Sequence, residues 1–470
     1  MHSFSSVYAL RYSLWPRSRS ALVLLATLSA CGLMAVSALR IGAALTLGES
    51  KEVENLARAN TLDPNNAELQ FRLGLSLFYS LQDPDLAGGL EHLRRAVRLN
   101  PLRAVYWAGL GVACRSAGER DCAIGAFEKA VGLSPMAPRY HWLAANCYLW
   151  ANQRDDAIAQ FHELLGLVSA TKINLGEEAE QNQYVPATFR LCLDMTDDPE
   201  VVLRRVLPTE QIPKLKLAFV QFLYEQNRLD SASRVWDEVV GTARPFPLRL
   251  AAPYVDGLIF SYHFDQAIRV WQGLERLGVV KDPPKEDLKN LVFNGGFEQP
   301  PLNSGLDWHY VQKPYVSIDF FDKDAYRGTH CFRLAFTLKQ NEDYESVIEF
   351  VPVLPGQSYA VTAYVRSRDI TSDSGPRLRV LDPVRPSELD TSTDGTIGTT
   401  PWHQLKVTFT TAAETHAVRL SIFRPRSRAF PFEISGDFWL DEVRLEALAA
   451  GAGEGASWSG GSSFAAHGAR

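Results

Sequence analysis

The side chains able to do covalent or metal chemistry are few and poorly placed for it. The six cysteines are Cys31, Cys114, Cys122, Cys147, Cys192 and Cys331. None forms a CxxC pair, none shares zinc-ligand spacing with histidine, and they are too sparse for a disulfide framework. Cys114 and Cys122 can approach each other within one helical hairpin, but both are read as small buried residues. Neighbouring carboxylates such as Glu342–Asp343 and Asp155–Asp156 have a surface character. A glycosidase needs two carboxyls across a cleft, and nothing in the chain singles out such a pair. Walker A, GxGxxG, HExxH and GxSxG patterns are all missing. The expectation is a protein that is not an enzyme.

Composition bounds the remaining classes. The chain has 470 residues, more than one ordinary domain needs. A hydrophobic share of 46% with 22% charged residues is that of a folded protein. The net charge of -6 argues against nucleic acid as a partner, because such proteins carry a basic domain or stripe.

The N-terminus reads as an address. Residues 21–39 are ALVLLATLSACGLMAVSAL, without a charge and long enough to cross a bilayer as a helix. Arg11, Arg17 and Arg19 precede the stretch, and no acidic residue occurs in the first 48. Positive flanks stay in the cytoplasm, so the bulk of the chain is expected outside it, at an inner membrane crossed once by residues 21–47. Two alternatives are a cleaved signal peptide and a lipoprotein. Leu28-Ser-Ala-Cys31-Gly resembles a lipobox, with Cys31 as the lipidation site, although the residues after it remain apolar. All three readings export residues 50–470, and the lipobox-like stretch suggests a bacterium.

Residues 50–280 carry a helical period. Trp107, Leu110, Gly111, Cys114, Gly118, Ala123, Phe127, Ala130 and Pro135 form an ordered set. That set resembles the 34-residue tetratricopeptide repeat, departing from it only at Cys114, where the pattern prefers tyrosine. Ala157 and Phe161 answer Ala123 and Phe127 one repeat later, and Asn152 takes the place of the turn glycine. Leu73-Gly74 answers Leu110-Gly111 with three extra residues. A later block places Ala232 and Trp236 against Ala267 and Trp271, 35 residues on. Between the blocks, Pro186, Pro199, Pro208 and Pro213 break any long helix. The resemblance implies an α-solenoid of five to six hairpins that binds protein or peptide and performs no chemistry.

A charged, proline-marked linker at 281–290 precedes a change of period. Tyr359-Ala-Val-Thr-Ala-Tyr-Val365, Leu405–Phe409, Val418–Phe423 and Phe438–Leu445 read as short strands, which predicts an antiparallel β-sandwich over 291–447. Residues 448–470, rich in alanine, glycine and serine, read as a disordered tail. The complete fold class is therefore multidomain α + β. It comprises a basic segment (1–20), a transmembrane helix (21–47), the helical repeats (50–280), the linker, the sandwich and the tail.

Within the sandwich, Asn294-Gly-Gly-Phe-Glu298, Tyr326-Arg-Gly328, Pro355-Gly356, Pro401-Trp402 and Phe438-Trp-Leu-Asp441 occur in order. This order resembles the jelly rolls of carbohydrate-binding modules. The resemblance implies flat aromatics for sugar faces and polar groups for hydroxyls, with Trp308, Tyr344, Tyr364, Trp402, Arg379 and Arg424 as glycan candidates. Trp439 is assigned to the core. It also implies a structural calcium held by Glu298 and Asp441. Together, anchor, repeats and sandwich point to a non-catalytic scaffold in the assembly or export of a cell-surface polysaccharide. The alternative is a purely protein-binding assembly factor whose sandwich is structural.

Overall fold

The computed structural model describes residues 17–50, 52–80, 84–170, 183–209, 213–242, 244–281, 289–337, 341–430 and 432–448. The expected tail, most of the basic segment and most of the linker lie outside the described residues. The chain divides into two compact units, Met1–Thr209 and Glu210–Arg470.

The first unit opens with α1 (Arg17–Gly48), whose stretch Ala21–Gly48 is long and apolar enough to cross a membrane. Its end is built into the array that follows. Ala44 is buried against Ala59 of α2 (Val53–Leu62) and Leu69 of α3 (Ala67–Phe78). Three hairpins then extend the array: α3 with α4 (Leu86–Leu99), α5 (Ala104–Ser116) with α6 (Arg120–Leu133), and α7 (Pro138–Trp150) with α8 (Arg154–Ala170). Helices α5 and α7 begin 34 residues apart, as do α4 and α6, and α6 and α8.

The small residues of the repeat act as spacers. A Cβ on Gly111 would stand 2.9 Å from the Phe127 ring, and one on Gly89 would stand 2.9 Å from the Gly74 carbonyl. Helix pairs can approach this closely only where side chains are missing. The turns between paired helices use left-handed residues, Gly118 at φ 78° and Asn152 at φ 56°. Asn66 and Asp85 cap α3 and α4 by accepting backbone N–H groups, and Pro138 starts α7. The proline-marked middle forms α9 (Tyr184–Thr196) and a turn Pro199–Val201 that runs into a π-helical segment, Val202–Val206.

Cys114 and Cys122 correct the expectation of two free buried thiols. They are joined by a disulfide, with Cα atoms 5.8 Å apart. The tight turn after α5 brings the end of that helix beside the start of α6, within the range a disulfide bridges.

The second unit joins the later helices to the sheets. It contains α10 (Lys214–Glu225), α11 (Leu229–Thr242), α12 (Ala252–Phe260) and α13 (Phe264–Arg276), then, among the described residues, ten strands. Two five-stranded antiparallel sheets result. Sheet A has the order β1 (His309–Tyr310), β4 (Tyr344–Pro352), β9 (Ala417–Arg424), β6 (Arg377–Leu381), β7 (Asp390–Ser392). Sheet B has the order β2 (Val316–Asp322), β3 (Cys331–Thr337), β10 (Ser435–Ala447), β5 (Ser358–Ile370), β8 (Gly398–Thr410).

The alternation read from the sequence sets the core. Val347, Val351, Leu420 and Ile422 of sheet A share one apolar cluster with Leu334, Val361, Val365 and Leu440 of sheet B. The outer face of sheet A is not left to solvent. Phe350 meets the rings of Phe260 and Phe264 from the α12–α13 hairpin at 5.8 and 5.9 Å. Trp271 of α13 packs on Phe293, and Asp256 of α12 accepts from the backbone N–H of Gly305 at 2.6 Å and from the Ser304 hydroxyl at 3.0 Å.

Two outcomes follow. Replacing both Cys114 and Cys122 with alanine, or adding reductant, should lower the unfolding free energy of the first unit by about 2–3 kcal/mol, the loop-closure value for so short a span. Thermal or urea unfolding with and without reductant measures it, and equal midpoints would dispose of the crosslink. Gly305→Ala should destabilise the second unit by about 2–4 kcal/mol. Its new Cβ would fall 1.9 Å from the Trp271 ring, at a backbone φ of 67°.

Candidate functional site

Sheet A carries the α12–α13 hairpin on its outer face, and the outer face of sheet B presents a different set of side chains. Its residues are set by strand register. Tyr364 of β5 lies opposite Asp441 of β10 on one side and Gln404 of β8 on the other. Trp439 lies opposite Arg333 of β3 and Arg366 of β5. These positions alternate with the core residues Ala363, Val365, Phe438 and Leu440, so they point outward.

The loop before β3 folds over this face and is clamped by two carboxylates. Asp441 accepts from the backbone N–H groups of Tyr326, Arg327 and Glu442 at 2.9, 3.0 and 2.7 Å. Glu298 accepts from the Thr329 N–H at 2.8 Å, the Thr329 hydroxyl at 2.6 Å and the His330 N–H at 3.1 Å. Burial pushes the Asp441 carboxyl up to about 7 in spite of its N–H donors. Burial also works upward on Glu298, but the bonds from Thr329 and His330 outweigh it and hold that carboxyl below its ordinary value.

The clamp lays Tyr326 on Tyr364. Their rings are stacked, with centroids 3.7 Å apart and planes 11° from parallel, and Trp402 lies 5.8 Å from Tyr326. The three rings form a ledge. Tyr326 is exposed, Tyr364 and Trp402 are half-buried, and Gln404 is exposed beside them. Arg327 and Arg444 stand with Glu442 at the rim. Such a ledge can take the flat apolar face of a ring ligand, with amide, guanidinium and carboxylate groups at its border. A carboxyl near 7 invites an acid–base role. Asp441 is sealed beneath the loop with backbone N–H groups on its oxygens, so it positions the ledge rather than meeting a ligand.

The expected site residues separate into distinct environments. Tyr364 and Trp402 come together, through Tyr326. Trp308 and Tyr344 are corrected to core residues: Trp308 packs on Phe297, and Tyr344 meets Phe336. Arg424 is likewise withdrawn from solvent. It donates to the carbonyls of Ser374, Glu342 and Phe432 and ties the loops at one end of the sandwich. Arg379 lies on the outer face of sheet A, paired with Glu345 and Asp390. Trp439, expected in the core, is buried on the outer face instead. The guanidinium groups of Arg366, Arg368 and Arg333 cover its ring at 4.4, 5.2 and 5.5 Å, and Asp437 accepts from Arg333 and Arg368. Cys31 is exposed midway along α1.

Glu298 and Asp441 do not fit a calcium site. A hard cation seeks six to eight oxygen ligands. Here the groups converging on both carboxylates are N–H and hydroxyl donors, whose hydrogens fill the space a cation would need. Among the described residues, neither belongs to a cluster of three potential metal ligands.

Tyr326 is the residue that sequence reasoning missed. It lies in the Tyr326-Arg-Gly328 motif, two residues before the glycine, and only the backbone bonds to Asp441 reveal why it lies on the ledge. A separate groove of about 430 Å³ runs between α12 and the edge of sheet A, lined by Phe260, His309, Tyr310, Val311, Lys313 and Glu345. Its carboxylate is already engaged by Arg379 and Arg419.

No protein-family model and no curated protein matches the chain. Solved structures titled as MamA align with part of it. One shows 30% identity over 24% of this chain and 66% of that one, with a TM-score of 0.23. A second shows 27% identity over 27% of this chain and 64% of that one, again at 0.23. MamA 41-end from Desulfovibrio magneticus RS-1 shows 23% identity over 26% of this chain and 67% of that one, at 0.24. The chain thus spans just under two thirds of the first two MamA chains.

The pH dependence of the clamp is open to measurement. The Asp441 value is about 7 when folded against an ordinary 3.8, so the folded unit holds this proton more tightly. The resulting stability is complete below about pH 4 and is lost as the pH rises through about 7. It amounts to roughly 4 kcal/mol at most. Asp441→Asn should flatten the pH dependence of urea unfolding across that window. An unchanged slope would remove the carboxyl as its source.

Proposed function

We propose that this chain is a non-catalytic, membrane-anchored scaffold. Its helical repeats engage protein or peptide, and its β-sandwich binds a polysaccharide on the Tyr326–Tyr364–Trp402 ledge. The observation that carries the glycan reading is the exposed, carboxylate-clamped aromatic stack on a sheet face that, among the described residues of the second unit, bears no helix. The glycan pathway is read as assembly or export at the cell surface. The strand order supports a jelly-roll reading of the sandwich, because successive strands cross between the sheets at every step except β2 to β3 and β6 to β7.

We read α1 as the span of an inner membrane, with the bulk of the chain on the extracytoplasmic side. Arg11, Arg17 and Arg19 before the apolar stretch support that orientation. So does the Cys114–Cys122 disulfide, since such bonds persist in oxidising compartments.

One observation favours the second reading, a protein-only assembly factor. Sheet A already spends its outer face on gripping the α12–α13 hairpin, which is a structural role for the sandwich.

Retention of the full-length, detergent-solubilised protein on a panel of immobilised polysaccharides separates the two. The glycan reading expects retention on at least one member, weakened at least about tenfold by Trp402→Ala or Tyr326→Ala. It also expects Trp439→Phe to leave binding in place. A folded protein that passes every gel unretarded would leave the protein-only scaffold.

A further inference from the structure

Helix α1 does not end where the apolar stretch ends. Residues 21–39 suffice to cross a hydrocarbon core of about 30 Å, at roughly 1.5 Å per residue. The next residue, Arg40, donates from Nη2 to the Leu62 carbonyl at 3.3 Å. The last turns of α1 then pack on α2 and α3 through Ala44, Leu47 and Gly48. The anchor is thus the first helix of the array, with no linker between them.

This continuity assigns each edge of the array a side. Successive helices pack antiparallel, so their turns fall alternately on two edges. Leu62, beside Arg40, puts the turn 62–67 on the edge where the apolar stretch leaves the array. Turns 99–104 and 133–138 fall on the same edge, while the ends of α1, α5 and α7 fall on the other.

The two edges differ in chemistry. At the tips of the near turns stand Leu102 and Met136, 78% and 76% exposed. Arg98, Arg103 and Arg139 are exposed around them, Arg98 also reaching the exposed Glu91 at 3.2 Å. Of the acids on this edge, Glu68 is held by the Tyr106 hydroxyl and Arg103, and Asp63 by Asn66. The far edge carries exposed Glu49, Glu52, Asp85, Asp121, Asp155 and Asp156, against exposed Arg120 and Arg154 there and Arg205 paired with Asp155, so acids outnumber bases on it. Its exposed apolar groups, Tyr79, Leu86 and Trp150, are less prominent at 59%, 48% and 45%. Apolar tips ringed by arginine match a headgroup layer, where side-chain carbons enter the acyl boundary and guanidinium groups meet phosphate.

We propose that the near edge of the repeat array lies on the bilayer that α1 enters, with Leu102 and Met136 seated among lipid headgroups and Arg98, Arg103 and Arg139 on lipid phosphates. The proposal rests on the reading of α1 as a membrane span. It turns the acidic edge away from the membrane and fixes how the array is presented to partners.

The test uses the full-length protein reconstituted in vesicles of phosphatidylcholine and phosphatidylglycerol. A photoreactive benzophenone side chain is placed, one position at a time, at Leu28, Leu102, Met136 or Asp121. Lipid adducts are expected at Leu28, Leu102 and Met136 and not at Asp121. Adducts at Leu28 without adducts at Leu102 and Met136, or equal yields at Asp121, would overturn the docking while leaving the anchor intact. No adduct at Leu28 would remove the membrane span, and the docking with it. Combining Arg98→Glu with Arg139→Glu should cut the yields at Leu102 and Met136 several-fold and leave Leu28 unchanged. Yields that do not move would overturn the phosphate pairing.

Discussion

Phe350 projects from the outer face of sheet A into the rings of Phe260 and Phe264, and much of the second unit is arranged around that burial. A sandwich has two inner faces that cover each other and two outer faces that need water or a further layer. Here a helical hairpin supplies the further layer for one of them. Asp256 on Ser304 and Gly305, and Trp271 on Phe293, fix its orientation with polar and apolar contacts of different geometry. With sheet A so occupied, sheet B keeps a face for ligand or solvent.

On that face, charge does what apolar packing does on the other. Asp441 and Glu298 hold one loop by its backbone N–H groups, and the loop carries Tyr326 onto Tyr364. Arg333, Arg366 and Arg368 cover Trp439 in the same way that a helix would cover it elsewhere, with Asp437 paired to Arg333 and Arg368 and offsetting one of their charges. Buried carboxylates are costly unless donors converge on them. The clamp therefore combines several bonds with one expensive group, and that combination makes the ledge sensitive to protons.

The first unit follows a different logic. Its contacts are local, each helix touching the next, so small residues at Gly74, Gly89 and Gly111 matter more than any single large one. The membrane-length helix enters this local logic as one more repeat element, which is why its end can dictate the bearing of the turns that follow.

The sequence alone determined the apolar span, the 34-residue period with its spacer glycines, the change from helical to alternating pattern, and most of the strands. Each is a one-dimensional signal, a run or a period, which local geometry converts directly into an element. It also placed Tyr364 and Trp402 among residues of interest. Which aromatics face outward was decided by tertiary structure. Trp308, Tyr344 and Trp439 have the same local pattern as exposed rings, and burial depends on what crosses above them. The Cys114–Cys122 bond required the turn at Gly118, and Tyr326 required a carboxylate 115 residues away. The joining of the α12–α13 hairpin to sheet A depends on contacts between residues 86 and 90 positions apart, a separation at which no periodicity carries information.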